Sequence, residues 1–266
     1  MTYKLNNDKK IILSNFFSLS ILQGLNYILP LITFPYIVRV LGVEYFGLLA
    51  FATAIMAYFN LITEFGFNIS ATKEVAAYRN EPNKLNEIFS TVLTIKILLL
   101  IFSFFILSCF IFIFDKLRID AVIYFLTFGS VIGQVFFPVW FFQGMEKMKF
   151  ITYLNISSKV FFTICIFIFI KEKEDYWMLP LFTSLGYILA AIIAIYLVKN
   201  KFNITYKIPS SESIKFYVKE SSYFFISNIA GSLYTVSVTV ILGIFTSNTV
   251  VGYYAAADKI IQAFKG

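Results

Sequence analysis

Histidine is absent from this sequence, and with it go the commonest metal ligand and the commonest general base at neutral pH. Cysteine is almost as scarce. Cys109 and Cys165 both lie inside apolar runs rather than in loops where a disulfide framework would sit. There is no paired metal-ligand spacing and no phosphate-cradling glycine loop. Enzymatic chemistry, a bound metal and an organic cofactor are therefore not expected. Charge is the third shortage: Asp, Glu, Lys and Arg make up 14% of the chain, against about 25% in soluble domains, too few to cover a water-facing surface. What fills the gap is apolar. Hydrophobic residues are 59% of the chain, mean hydropathy is +0.80, and the apolar residues come in long runs. The implied solvent is lipid. The implied fold class is all-α, a polytopic membrane helix bundle, because in lipid a helix satisfies its own backbone polar groups.

A span needs roughly 20 mostly apolar residues. On that rule helices are expected near 11–38, 44–67, 88–114, 120–143, 150–170, 176–198 and 221–245, with an eighth starting near 249. The first stretch follows Lys9 and Lys10 as a signal peptide would. Its apolar run is too long for one and no small-residue cleavage site follows, so it reads as a retained helix that Pro30 and Pro35 kink or end. Lys and Arg concentrate in cytoplasmic loops. An inside N-terminus places Lys4, Lys9, Lys10, Lys73, Arg79, Lys84, Lys147, Lys149, Lys199, Lys201, Lys207, Lys215 and Lys219 in the cytoplasm. It leaves only Arg39, Lys116, Arg118, Lys171 and Lys173 outside. The net charge of +7 is thus accounted for by topology, and nucleic acid is not an expected partner. The longer inner connections, around 68–87 and 199–220, are polar enough to form interfacial or surface helices.

Two distant stretches look alike. Gly47, Ala50, Ala52 and Ile55 match Gly252, Ala255, Ala257 and Ile260 at a constant offset of 205, and each set follows a glycine at the end of a preceding span, Gly42 or Gly243. Helices seven and eight would then replay helices one and two as a parallel repeat. Two such halves facing each other is one way transporters build alternating access. Small-residue patterns also recur by chance where helices pack closely. The organisation expected is a six-helix lobe over 1–198, a cytoplasmic linker over 199–220, and the first two helices of a second lobe over 221–266, so the chain would carry only the start of that second half.

Charges inside spans are costly, roughly 2.5–3.5 kcal/mol each on insertion scales, and are candidates for function. Lys96, Lys159 and Lys259 lie within spans. Lys96 and Lys159 each fall about nine residues into an outward-running helix, near ~13 Å depth at 1.5 Å per residue. Two cations at matched depth repel unless they flank a water-filled space or share an anion, which fits a cavity for an anionic headgroup. Each can instead snorkel separately to the interface. In the first helix Asn15, Ser18, Asn26 and Thr33 share one face, with Gln23 at its edge. Such a stripe either bonds to neighbouring helices or lines an aqueous path. Glu64 and Asp258 are placed to carry a coupling proton, or equally to cap a helix or pair with a neighbouring lysine.

Several stretches read together as a known pattern. They are the run Pro30 to Gly42 continuing to Phe46-Gly47, then Glu64-Phe65-Gly66-Phe67-Asn68, Asp175-Tyr176, and Gly252-Tyr253-Tyr254-Ala255. The most specific is Trp140-Phe141-Phe142-Gln143-Gly144-Met145-Glu146-Lys147-Met148 at the turn between helices four and five. Over essentially the whole chain this resembles the Wzx-type O-antigen and polysaccharide flippases of the multidrug/oligosaccharidyl-lipid/polysaccharide exporter superfamily. The resemblance implies a multi-pass protein of the bacterial inner membrane. Such a protein moves undecaprenyl-pyrophosphate-linked oligosaccharide from the cytoplasmic to the periplasmic leaflet. Membrane lipid surrounds it, and a polysaccharide polymerase and a chain-length protein are its expected partners. It places the family's cavity cations on Lys96, Lys159 and Lys259, and its sequence signature on Trp140, Gln143 and Gly144. Family members run longer than this chain. The rival readings are another exporter of the superfamily, whose drug-selecting members would want anionic walls, and a truncated product without activity. A membrane enzyme of the same pathway is disfavoured by the missing histidine and the small outer loops.

Overall fold

The computed structural model describes the backbone of residues 2–265 and the side chains of residues 16–261 other than 18, 19, 22, 27 and 233–235. The described residues form helices and short connections. The first element, α1 (Thr2–Glu64), is two helices, arms 2–41 and 43–64, that meet at Gly42. There φ is 81° and ψ 167°, a backbone conformation essentially confined to glycine. Helix continues through Pro30 and Pro35, which were expected to kink it or end its regular part, and the break falls where a glycine permits the turn. The Phe34 and Phe46 rings lie 5.3 Å apart across this turn, which folds the two arms back on each other.

After Phe65 and Gly66, both at positive φ, come α2 (Phe67–Ala77) and α3 (Pro82–Ile113). Short α4 (Asp115–Ile119) leads to α5 (Ala121–Phe136) and α6 (Val139–Gly144). The expected single helix over 120–143 is split at Pro138, which has no N–H to continue the ladder and keeps Phe137 extended. Then follow α7 (Met148–Phe169), a 3-10 turn (Lys173–Trp177), α8 (Met178–Phe202), α9 (Ser211–Phe245) and α10 (Asn248–Lys265). Among the described residues five helical stretches are long and apolar enough to cross a membrane, or six if Ser211–Ser232 and Val236–Phe245, bent by 59°, make one span. The first of them, Gln23–Ala77, is 55 residues long and is turned back at Gly42. Drawn straight at ~1.5 Å per residue it would greatly exceed a hydrocarbon core of about 30 Å. The protein is a polytopic bundle of membrane helices.

The two long connections differ. The first holds α2, which buries Phe67, Ala71 and Val75 against the bundle and exposes its other face, as expected for a surface helix. The second is not helical over 203–210. It is strapped along the start of α3, with the Thr205 N–H donating to Asn86 Oδ1 at 2.9 Å and the Lys207 N–H to Ser90 Oγ at 2.9 Å. Side-chain acceptors on α3 satisfy part of the backbone there, and helix resumes at Ser211, within the connection expected to form surface helices. Ser210 then caps α9, its hydroxyl accepting from the Ser213 N–H at 3.1 Å.

Two apolar clusters hold the bundle. One contains Val75, Ile88, Val92, Ile95, Trp140, Phe141, Ile151 and Ala194; the other contains Leu41, Phe51, Phe59, Leu107, Tyr124, Phe128 and Ile166. Each of α3, α5–α6, α7 and the turn-to-helix path of α1–α2 contributes to both. The polar residues of these elements fall between the two contributions. Lys96 follows Ile95, Gln134 lies between Val131 and Phe137, and Asn155 and Lys159 lie between Leu154 and Ile166. A polar seam therefore crosses the bundle between its two cores.

The two members of the sequence repeat touch. A Cβ on Gly47 would fall 1.7 Å from the carbonyl oxygen of Asn248, and a Cβ on Gly252 would fall 2.2 Å from that of Val43. Asn248 is displaced from Val43 by the same 205 residues that separate the glycines, so the contact is reciprocal. That is the pattern of a local two-fold relation, in which residue i meets j and j meets i.

Candidate functional site

The seam opens into a cavity of about 240 Å³. Its wall is rich in carboxamides: Asn26 from the first arm of α1, Asn60 from the second, Asn68 from α2, Gln134 from α5 and Asn155 from α7. Lys96, Lys159, Glu64, Thr63 and Tyr187 complete the polar lining. The two lysines that sequence placed at matched depth thus face one space. Lys96 is 5% exposed and donates to the Gln134 carbonyl at 3.5 Å, pointing into the bundle rather than out to an interface. The Lys159 ammonium donates to Asn26 Oδ1. Both lie further along their helices than expected, because α3 begins at Pro82 and α7 at Met148. Proline at the first turn of α3 costs no hydrogen bond, so the polar residues 82–87 join the helix.

A second cavity, of about 450 Å³, adjoins the first and shares Lys159 and Tyr187 with it. Its polar groups are hydroxyls, Thr33, Thr53, Thr163, Thr183 and Thr239, together with Asp258 and Lys259 from α10. The rest of its wall is aliphatic and aromatic, including Leu29, Ile37, Leu49 and Phe162. Lys259 therefore shares a wall with Lys159 but is absent from the lining of the first cavity. The Asp258 carboxylate and the adjoining Lys259 ammonium are close enough to interact electrostatically.

Glu64 uses both carboxylate oxygens locally. Oε2 accepts from the Gly66 N–H at 2.9 Å and Oε1 from the Asn68 N–H at 2.5 Å, at the start of α2. It also interacts electrostatically with Lys96 across the cavity. Of the alternatives open for Glu64, capping is the one its hydrogen bonds realise. In the polar stripe of the first helix, Asn26 lines the first cavity and Thr33 the second, with the Thr33 hydroxyl donating to the Leu29 carbonyl at 3.0 Å. Gln23 is in neither wall. It is exposed, as are Phe16, Phe17 and Ile21 before it, because the bundle encloses the first arm only further along. The side chains of Asn15 and Ser18 lie outside the described residues.

The signature Trp140, Gln143 and Gly144 lines neither cavity. Trp140, Phe141 and Phe142 are fully buried in α6. The Thr72 hydroxyl, bonded to the Asn68 carbonyl at 2.7 Å, also lies 3.2 Å from the Trp140 carbonyl and 3.4 Å from Gln143 Oε1, and a Cβ on Gly144 would fall 2.6 Å from Val75 Cβ. These residues seat α2 on the turn between α5 and α7, and so position Asn68 and the Glu64 cap. The Arg79–Glu146 ion pair at 2.9 Å spans the same junction, but as an exposed pair it contributes little.

Asn60, Thr63, Asn68, Gln134, Asn155 and Tyr187 were missed from sequence. A signal existed: Asn60 and Glu64, and Asn155 and Lys159, are four apart and therefore share a helix face. The family described as "Polysaccharide biosynthesis protein" matches residues 12–266. A protein of Escherichia coli (strain K12), provisionally named an O-antigen transporter, is 34% identical over 262 residues, covering 98% of this chain and 63% of that protein. One of Shigella dysenteriae with the same provisional name is 32% identical over 255 residues, covering 95% and 63%. The chain thus spans under two thirds of the length of these curated relatives. No solved structure matches it.

Proposed function

We propose that this chain, which belongs to the polysaccharide biosynthesis protein family, is the cavity-forming part of a flippase and not an enzyme. Its substrate is undecaprenyl-pyrophosphate-linked oligosaccharide, an O-antigen or capsule repeat unit, moved from the cytoplasmic to the periplasmic leaflet of the inner membrane. The observation that carries this reading is the seam cavity, where Lys96 and Lys159 face one space among five carboxamides. Burying each lysine in a bundle costs several kcal/mol. Glu64 offsets part of that cost for Lys96, and a pyrophosphate group supplies the remaining negative charge. Carboxamides both donate and accept, which suits sugar hydroxyls. At about 240 Å³ the cavity is smaller than the roughly 300–1,000 Å³ of pockets that enclose a drug-sized ligand, so it takes the headgroup region and not a whole repeat unit.

The second cavity, with Lys259, is the next station on the path. Asp258 and Glu64 are the groups that carry a coupling ion. The division into a lobe over 1–198, a linker over 199–220 and the start of a second lobe over 221–266 is supported by the reciprocal Gly47–Gly252 contact. The N-terminus lies in the cytoplasm, on the side that collects the lysines.

The test replaces Lys96 and Lys159 together by alanine in the protein expressed from its own gene, in cells that make the surface polysaccharide. The expected outcome is loss of surface polysaccharide while the variant remains in the membrane at normal abundance. Normal export by that variant overturns the assignment.

A further inference from the structure

We infer that the bundle carries a binding site for an anionic diacyl phospholipid on its outer surface, where the start of α7 meets the end of α8. Lys149 and Lys201, far apart in sequence, converge on one aromatic ring: their ammonium groups lie 5.9 and 4.9 Å from the Phe150 ring centre. That ring is held from behind by Phe142 at 5.7 Å and Phe202 at 6.2 Å. Lys147 and Lys199 are exposed beside them. Among the described residues none of these four lysines is in an ion pair, whereas Arg79, Lys84 and Arg118 are. The result is a concentrated, unneutralised positive patch on a rigid aromatic base.

Below the patch the surface is built for acyl chains. On α7 the exposed residues after Lys149 recur at helical spacing as Tyr153, Ser157, Val160, Ile164 and Ile168. On α8 the residues leading to Lys199 do the same: Leu185, Leu189, Ile192 and Tyr196. Each stripe runs from aliphatic residues through a tyrosine to a lysine, the order in which a bilayer runs from hydrocarbon through interface to headgroup. An apolar groove of about 280 Å³ between α5 and α8, lined by Gly133, Phe136, Ile192 and Ile195, ends one turn short of Lys199. Topology alone asks only that lysines lie on one side. It does not ask that two of them, from different helices, converge on one aromatic ring. Charge complementarity selects the occupant, since basic pockets between membrane helices attract lipids with net negative headgroups and zwitterionic lipids give no such gain.

The experiment is native mass spectrometry of the purified chain with palmitoyl-oleoyl phosphatidylglycerol or the matching phosphatidylcholine. Phosphatidylglycerol adducts should be retained about tenfold better. Lys149→Gln with Lys201→Gln should abolish that preference, with phosphatidylcholine retention and helical circular dichroism unchanged. If that variant does not fold, a salt titration of the natural chain decides, because the preference should fall steadily as ionic strength rises. Equal retention of the two lipids, an unchanged preference in the folded variant, or a preference indifferent to salt overturns the site. Displacement of the phosphatidylglycerol by inorganic pyrophosphate also overturns it, by making the patch a receptor for free phosphate anions.

Discussion

The two adjoining cavities are built from different chemistry around one shared cation. The first is narrow and walled by carboxamides, with Lys96 and the capped Glu64 at one side. The second is nearly twice as large and walled by aliphatic side chains and threonine hydroxyls, with Lys259 on α10. Their origins differ as well. The first is enclosed by both arms of α1 with α2, α3, α5, α6, α7 and α8, and the second takes part of its wall from α9 and α10. Lys159 stands where they meet. A polar wall holds a charged, hydroxyl-rich group in a defined orientation, whereas a wide apolar wall with scattered hydroxyls lets such a group pass. On the function proposed above, the contrast would separate recognition from passage.

The largest expected effect comes at the contact between α1 and α10, beside the second cavity. Gly47→Ala forces the second arm of α1 away from the α10 backbone and should cost about 3 kcal/mol or more, since the obstructing atom is a backbone oxygen 1.7 Å away. A marked fall in the midpoint of thermal unfolding in detergent is the readout. An unchanged midpoint would mean that the reciprocal contact does not hold the repeats together.

An intermediate effect sharpens the sharing of Lys159. Lys159→Gln should weaken inorganic pyrophosphate binding by roughly tenfold or more, as loss of a charged hydrogen-bond partner does. Lys259→Gln should cost less, because its ammonium does not reach the carboxamide wall. Isothermal titration of the three proteins measures this, and equal losses would dissolve the distinction between the cavities.

The smallest effect lies outside both cavities, at the turn before α5. Burial raises the Asp120 carboxyl above the ordinary aspartate range, and the Glu44 carboxylate raises it further. The folded protein therefore holds this proton more tightly than the unfolded chain. Its contribution is present below the unfolded pKa and is lost as pH rises through the folded one. Asp120→Asn should accordingly raise the unfolding midpoint slightly at neutral pH and leave it unchanged in acid. A lowered midpoint at neutral pH would show that the carboxylate is needed charged.

Much of this was legible in one dimension. The spans near 88–114, 150–170, 176–198 and 221–245 all correspond to observed helices, because an apolar run long enough to cross lipid is a local property. The breaks were only partly legible. Pro30 and Pro35 were read as kinking the first helix or ending its regular part, yet the helix runs through both and Gly42 makes the turn. The 199–220 connection was read as polar enough for surface helices, and its end is helical from Ser211, but nothing in its composition shows that Asn86 and Ser90 would hold 203–210 extended. For the cavity, ionisable residues stood out against lipid, so Lys96 and Lys159 were found, while the uncharged Gln134, Asn155 and Tyr187 were not.

By itself the sequence determined the solvent, the helices and the rare buried charges, since each depends on composition over a single window of chain. Only the tertiary structure decided which polar groups meet. Convergence depends on the rotation of each helix about its own axis and on which helices are neighbours. Five carboxamides from five elements became one wall through those rotations. The same rotations left Gln23 outside, turned Trp140, Gln143 and Gly144 into the seat for α2, and placed Lys159 in two cavities at once.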